Sequence, residues 1–406
     1  MKRILFVDDE TLVLEGMRRM LRSMRNEWEM EFRSSGAEAL AALETAPFDV
    51  VVADMKMPGM DGATLLGEVS RRNPNTIRII LSGHSEKESI LKSVGVTHRY
   101  IAKPCDPEQL RETITRTASL QALLASESLR GLIAGMDNLP SLPTLFNEIV
   151  QKIQDSNASL EDVGTVIGKD IGMSVRVLQL VNSAYFGLAR RITSVERAVA
   201  YLGLETISTL VLSVDIFKQF DSAGMSRFSA ERLWDHSMRS AVLAKTIAAD
   251  VGMDRLAADD TFTAGMLHDV GLLVLAARMP DKLEIVLSAI QDTGGDVMMA
   301  ELDVLGVTHA DIGAYLLGLW GLPVTIVEAA AYHYEPAAVG QTKLDTPGVV
   351  HVAGALSCED TEEGGQPKDP WLVPLDHKYV ETMGVAHRLP EWRQSAAGLP
   401  ATREVT

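Results

Sequence analysis

Within residues 1–120, short apolar runs alternate with amphipathic stretches. The runs are Arg3–Val7, Val50–Ala53, Ile77–Leu81 and Tyr100–Ala102, with a weaker one at Glu29–Arg33. Short continuous apolar runs suit parallel strands covered on both faces. The stretches between them read as helices. Ser35 and Glu38 have the spacing of a capping box, and Asp106-Pro107-Glu108-Gln109 places a proline at a first helical position. Strand–helix alternation predicts a doubly wound α/β domain with five parallel strands. Ligands of such sheets bind beyond the carboxyl ends of the strands.

The polar residues at those ends carry the chemistry. Asp8 and Asp9 follow the first run, Asp54 the Val50–Ala53 run, Ser82 the Ile77–Leu81 run and Lys103 the Tyr100–Ala102 run. Three carboxylates brought to one spot repel unless a cation joins them, and hard oxygen ligands suit Mg²⁺. A lysine and a hydroxyl alongside could hold a phosphoryl group, with Asp54 as the nucleophile that accepts it.

These residues, with Asp54-Met55-Lys56-Met57-Pro58-Gly59-Met60-Asp61-Gly62, Ser82-Gly83 and Lys103-Pro104, resemble the receiver domain of two-component response regulators. The resemblance implies a flavodoxin-like fold and a sensor histidine kinase as partner. It makes Asp54 the phosphoacceptor. Asp8, Asp9, Asp54 and the backbone carbonyl of Lys56 would hold Mg²⁺. Ser82 and Tyr100 would be the switch pair and Lys103 the phosphate-binding lysine.

Beyond residue 120 the pattern changes. Residues 139–335 show helical periodicity and almost no strand-like alternation, which predicts an all-α domain of about ten helices. Leu267–Ala277 reads as one of the clearest helices. From about residue 360 the chain turns polar, and Ala396–Thr406 reads as a loose terminus. The expected organisation is a first domain at 1–120, a helical connector at 121–135, the all-α domain at 136–360 and a polar extension at 361–406.

Charge follows the same division. Residues 1–120 carry 17 basic and 18 acidic side chains, whereas residues 121–406 carry 21 and 37. That acidic excess opposes a nucleic-acid backbone, so no DNA partner is expected. The two cysteines, Cys105 and Cys358, cannot build a disulfide framework or a cysteine zinc site. No apolar run reaches the ~18 residues of a membrane span. A cytoplasmic protein without membrane contact is expected.

Seven of the nine histidines lie beyond residue 121. Histidines with one carboxylate could hold divalent metal, and a carboxylate can bridge two ions. The motifs around them resemble the HDOD domain, a relative of the HD phosphohydrolase superfamily. They are Leu139-Pro140-Ser141-Leu142-Pro143, Val181–Gly187, Ile192–Val195, Ala198–Leu204, Trp234-Asp235-His236-Ser237, Leu267-His268-Asp269-Val270-Gly271 and Thr308–Gly313. Against the catalytic relatives, His236, His268, Asp269, His309 and His333 match metal ligands. Tyr334 stands where a second paired histidine is expected and Gly354 where a late aspartate is. The resemblance therefore implies an interaction domain that binds an output protein, with a residual metal site for Mn, Fe or Zn. A homodimer is a further expected partner. The alternative is a receiver-gated, metal-dependent phosphohydrolase.

Overall fold

The computed structural model describes residues 2–73, 76–82, 99–103, 107–134, 136, 143–154, 160–186, 192–219, 228–293, 296–340, 343–359, 371–372 and 374–400. The chain divides into two compact units, Met1–Ala125 and Ser126–Thr406. No single described helix is long and apolar enough to cross a membrane.

In the first unit, strands β1 (Lys2–Val7), β2 (Trp28–Arg33), β3 (Val50–Asp54), β4 (Ile77–Ser82) and β5 (Arg99–Ala102) form one sheet in the order β2-β1-β3-β4-β5. Every pairing is parallel, with Val7 level with Ala53 and Asp54 level with Leu81. This is the flavodoxin-like strand order. Its described helices are α1 (Thr11–Met20), α2 (Gly36–Thr45), α3 (Gly62–Arg72) and α4 (Pro107–Leu124). Alternate strand residues serve opposite faces. Ile4, Phe6, Val50, Val52, Ile79 and Leu81 pack on Leu14, Met17, Leu110 and Ile114. Leu5, Val7, Val51, Ala53 and Ile80 pack on Ala39, Leu65, Leu66 and Val69. Both faces are covered, which is why the runs are continuously apolar.

The expected capping box at α2 forms only half. Ser35 Oγ accepts from the Glu38 amide at 3.3 Å, but the Glu38 carboxylate turns to Ser34, accepting from its amide at 3.0 Å. Asp106 lies outside the described residues, so the second box is not placed.

Among its described residues the second unit forms helices and no strand. Its described helices are α5 (Glu127–Ala134), α6 (Thr144–Gln154), α7 (Leu160–Gly168), α8 (Ile171–Val181), α9 (Val195–Leu202), α10 (Leu204–Gln219), α11 (Ala230–Asp250), α12 (Arg255–Leu267) and α13 (Val270–Arg278). They continue with α14 (Pro280–Thr293), α15 (Val297–Leu305), α16 (His309–Leu319), α17 (Val324–Tyr332), α18 (Thr346–Glu359), α19 (His377–Thr382) and α20 (Leu389–Ala397). Twelve of these fall within 139–335, against about ten expected, because the chain breaks at short intervals. One break corrects the expected helix Leu267–Ala277: α12 stops at Leu267 and α13 restarts at Val270. The turn between them holds His268 and Asp269.

Two boundaries also differ from expectation. The connector 121–135 is divided between the units, and α5 buries Leu129 and Ile133 in the second. The supposed polar extension supplies core. Leu375, Tyr379, Val380, Leu389, Trp392 and Ala396 pack with Leu243, Ile247, Val349, Val352 and Leu356 of α11 and α18. Arg239 of α11 fastens this segment, donating to the carbonyls of Ala396 at 3.2 Å, Leu399 at 3.0 Å and Pro400 at 3.1 Å. The six apolar anchors fall at helical spacing, 375-379-380 and 389-392-396, in two runs too short to stand out among their polar neighbours.

Candidate functional site

Two clusters of titratable side chains stand out. The first lies at the carboxyl ends of β1, β3 and β5. Asp8 and Asp54 are buried and Asp9 is exposed. Lys103 Nζ reaches Asp8 Oδ2 at 2.7 Å and also bonds Asp54 Oδ1. The Lys56 amide donates to Asp54 Oδ2 at 2.8 Å. Asp61 caps α3 through the Thr64 amide at 2.7 Å. A Cβ on Gly62 would lie 2.2 Å from the Asp54 carbonyl oxygen, so only glycine lets α3 start this close to Asp54.

Burial pushes the Asp54 carboxyl up, and the Lys103 ammonium only partly offsets it. Burial would lower the Lys103 ammonium, but Asp54 and Asp8 outweigh it and raise the ammonium instead. Two buried carboxylates sharing one ammonium keep a surplus negative charge and free oxygen lone pairs. That donor set fits a hard cation such as Mg²⁺. Ser82 ends β4 and Tyr100 lies in β5, but their side chains are outside the described residues.

The second cluster is a histidine cage around Asp269. His236 comes from α11, His268 and Asp269 from the α12–α13 turn, His309 from the first turn of α16 and His333 from the end of α17. Asp269 Oδ2 lies 3.1 Å from His268 Nε2 and 3.5 Å from His236 Nε2. Its Oδ1 lies 3.2 Å from His333 Nε2 and 3.4 Å from His309 Nε2. The five residues that the sequence singles out therefore converge. Thr308 and Asp311 form a complete capping box that sets the start of α16. A Cβ on Gly271 would lie 1.9 Å from the His309 carbonyl oxygen, so the glycine after the His268-Asp269 turn lets α13 meet α16.

Three neighbours of the cage have no sequence signal. Glu301, fully buried on α15, accepts from the His309 amide at 2.8 Å and from its Nδ1 at 2.6 Å. Cys358 Sγ lies 3.2 Å from His236 Nδ1. The Trp371 carbonyl accepts from the Tyr334 hydroxyl at 3.1 Å, and that hydroxyl meets His309 Nε2 at 2.6 Å. Each lies far along the chain from its partner or in a different helix, so no local spacing marks it. His351 serves structure: its Nδ1 donates to the His333 carbonyl and its Nε2 accepts from the Asp376 amide.

Burial drives the His236 imidazole down to about 3 and the His333 imidazole down to about 4. Burial acts on His309 in the same sense, but Glu301 and Asp269 outweigh it and push that imidazole up to about 10. Burial would raise Asp269, yet the surrounding imidazoles hold its carboxyl well below the usual carboxylate range. His236 and His333 thus turn neutral nitrogens toward an ionised carboxylate. Among the described residues, Asp269 Oδ1 and His333 Nε2 are buried and make no well-aligned hydrogen bond. Lone pairs arranged this way fit a divalent metal at His236, His268 and Asp269, and a second group, His309 with His333, also gathers around Asp269.

Residues 4–115 match the family model described as a response regulator receiver domain, and residues 139–336 match the one described as an HDOD domain. This chain carries a receiver domain followed by an HDOD domain. An uncharacterized protein of Treponema pallidum (strain Nichols) is 29 % identical over 250 residues, 61 % of this chain and 46 % of its own length. The hydrogenase transcriptional regulatory protein HoxA of Cupriavidus necator is 36 % identical over 126 residues, 30 % of this chain and 25 % of its own. The chain thus spans less than half the length of these relatives. An HDOD domain protein of unknown function from Geobacter sulfurreducens aligns with a TM-score of 0.55 and 23 % identity, covering 71 % of this chain and 99 % of that one. That likeness extends to the fold. A receiver joined to an HDOD domain is the makeup of a response-regulator signalling protein. Receivers generally use Mg²⁺, and HD-type domains bind divalent metals.

Proposed function

We propose that Asp54 accepts a phosphoryl group from a sensor histidine kinase and that this switches the HDOD domain as a protein-binding output. The observation that carries the reading is Lys103 bridging Asp8 and Asp54 at the strand ends. Asp8, Asp9, Asp54 and the Lys56 carbonyl would hold Mg²⁺, which supplies charge neutralisation for phosphoryl transfer when bound. Lys103 would move to the incoming phosphoryl oxygens, with Ser82 and Tyr100 as the hydroxyl and aromatic that follow. The HDOD output is read as binding a protein partner, through a surface whose acidic excess favours a basic or neutral face. On this reading the unit ending at Ala125 carries the switch and the unit beginning at Ser126 carries the output.

Incubation with acetyl phosphate and Mg²⁺ tests the assignment. Intact mass should rise by one phosphoryl group in the wild type and not in Asp54→Ala. A variant that labels as well as the wild type refutes Asp54.

The Asp269 cage favours a second reading, a receiver-gated, metal-dependent phosphohydrolase. Against it, the cavity beside the cage measures about 20 Å³. That is room for about one water, which needs roughly 10–15 Å³. Turnover of a nucleotide or cyclic dinucleotide that disappears in Asp269→Ala would promote this reading.

A further inference from the structure

Each imidazole of the cage is held from outside through Nδ1. His268 donates to the Gly265 carbonyl at 2.8 Å, His333 to the Ala330 carbonyl at 2.9 Å and His309 to Glu301 at 2.6 Å. His236 meets sulfur instead, with Nδ1 3.2 Å from Cys358 Sγ. Cys358 is buried one helical turn after Gly354, and its S–H donates to the Gly354 carbonyl at 3.1 Å. With its proton directed there, the sulfur faces His236 with lone pairs. His236 then keeps its proton on Nδ1 and turns a bare Nε2 inward. That nitrogen lies 3.2 Å from His268 Nε2, whose own proton is also held on the outer side. Two bare ring nitrogens at this separation repel unless a cation lies between them and Asp269. Asp269 Oδ1 and His333 Nε2, both buried and without a well-aligned hydrogen bond among the described residues, point to the same need.

We propose that Cys358 is a positioning residue of the cage: its thiol selects the Nδ1–H form of His236 and so makes His236 Nε2 a metal ligand. The proposal rests on the reading of the cage as a metal site. Histidine ligands are generally oriented by an acceptor on their outer nitrogen, and losing that partner weakens metal binding by about 10–100-fold. Here three acceptors are oxygens and the fourth is a thiol.

Metal-stripped full-length protein titrated with Co²⁺ tests this. Wild type should bind with a visible spectrum of nitrogen and oxygen ligands and without an intense near-ultraviolet thiolate-to-cobalt band. Cys358→Val should lose about 10–100-fold in affinity while its metal-free unfolding midpoint stays close to that of the wild type. Cys358→Ser, which still offers an acceptor, should recover most of the affinity. Equal affinity in Cys358→Val, or a thiolate band in the wild type, overturns the positioning role. No cobalt uptake by the wild type overturns the metal-site reading instead. Nitrogen-15 spectra of the metal-free protein then decide Cys358 separately: an Nδ1–H His236 supports the role, and an Nε2–H His236 overturns it.

Discussion

The hydroxyl of Tyr334 lies 2.6 Å from His309 Nε2, the nitrogen that otherwise faces Asp269 at 3.4 Å. Since the hydroxyl donates to the Trp371 carbonyl, its oxygen is free to accept from a protonated His309. The residue that departs from the catalytic pattern therefore occupies one of the cage nitrogens. It leaves His236, His268 and Asp269 as the set best placed for a metal.

Removing that hydroxyl should be costly even without metal. Tyr334→Phe takes the hydroxyl donor from the Trp371 carbonyl and leaves His309 Nε2 only Asp269 at 3.4 Å inside a buried site. A destabilisation of about 1–3 kcal/mol is expected, from the cost of orphaned buried polar groups. Urea unfolding of the full chain measures it.

Gly354 marks the other departure. A Cβ there would lie 3.7 Å from His268 Nε2 and 4.0 Å from His236 Nε2, ordinary contact with space to accept it. Gly354→Asp should aim a carboxylate at those two nitrogens and tighten Co²⁺ binding. Calorimetric titration showing unchanged or weaker binding would count against the cage geometry.

Asp54 should destabilise the receiver at neutral pH. Its folded value lies above that of an unfolded aspartate, which is about 3.9. Below that range both states hold the proton and Asp54 has no effect. As pH rises toward the folded value, the unfolded state ionises first and stability falls. Asp54→Asn should therefore melt higher than wild type at pH 7 in the presence of a chelator, with the gain vanishing as pH approaches the ordinary carboxylate range. Equal melting at both pH values contradicts the burial argument.

The HDOD match ends at residue 336, but the folded unit does not. A fragment 126–336 lacks α18, α19 and α20 and exposes Leu243, Ile247 and Ala248 of α11. It should be protease-sensitive where 126–406 is resistant. Within the full chain, Arg239→Met should cost about 3 kcal/mol by removing charge-assisted bonds and orphaning C-terminal carbonyls. Chemical denaturation followed by tryptophan fluorescence reads this through Trp392.

Much of this protein was legible in its residue order. Continuous apolar runs ending in Asp8, Asp54, Ser82 and Lys103 stated the parallel sheet and the place of its chemistry, because strand period and strand ends are local properties. The motifs around His236, His268-Asp269, His309 and His333 likewise named the cage. Tertiary structure decided the rest. It broke the expected Leu267–Ala277 helix at the His268-Asp269 turn, brought Glu301 and Cys358 behind two histidines, and folded residues 375–399 into a core that the polar sequence concealed. Each of these depends on packing between residues far apart in the chain. Hydrophobic period records which face of one element is buried, but it carries no record of which partner covers that face.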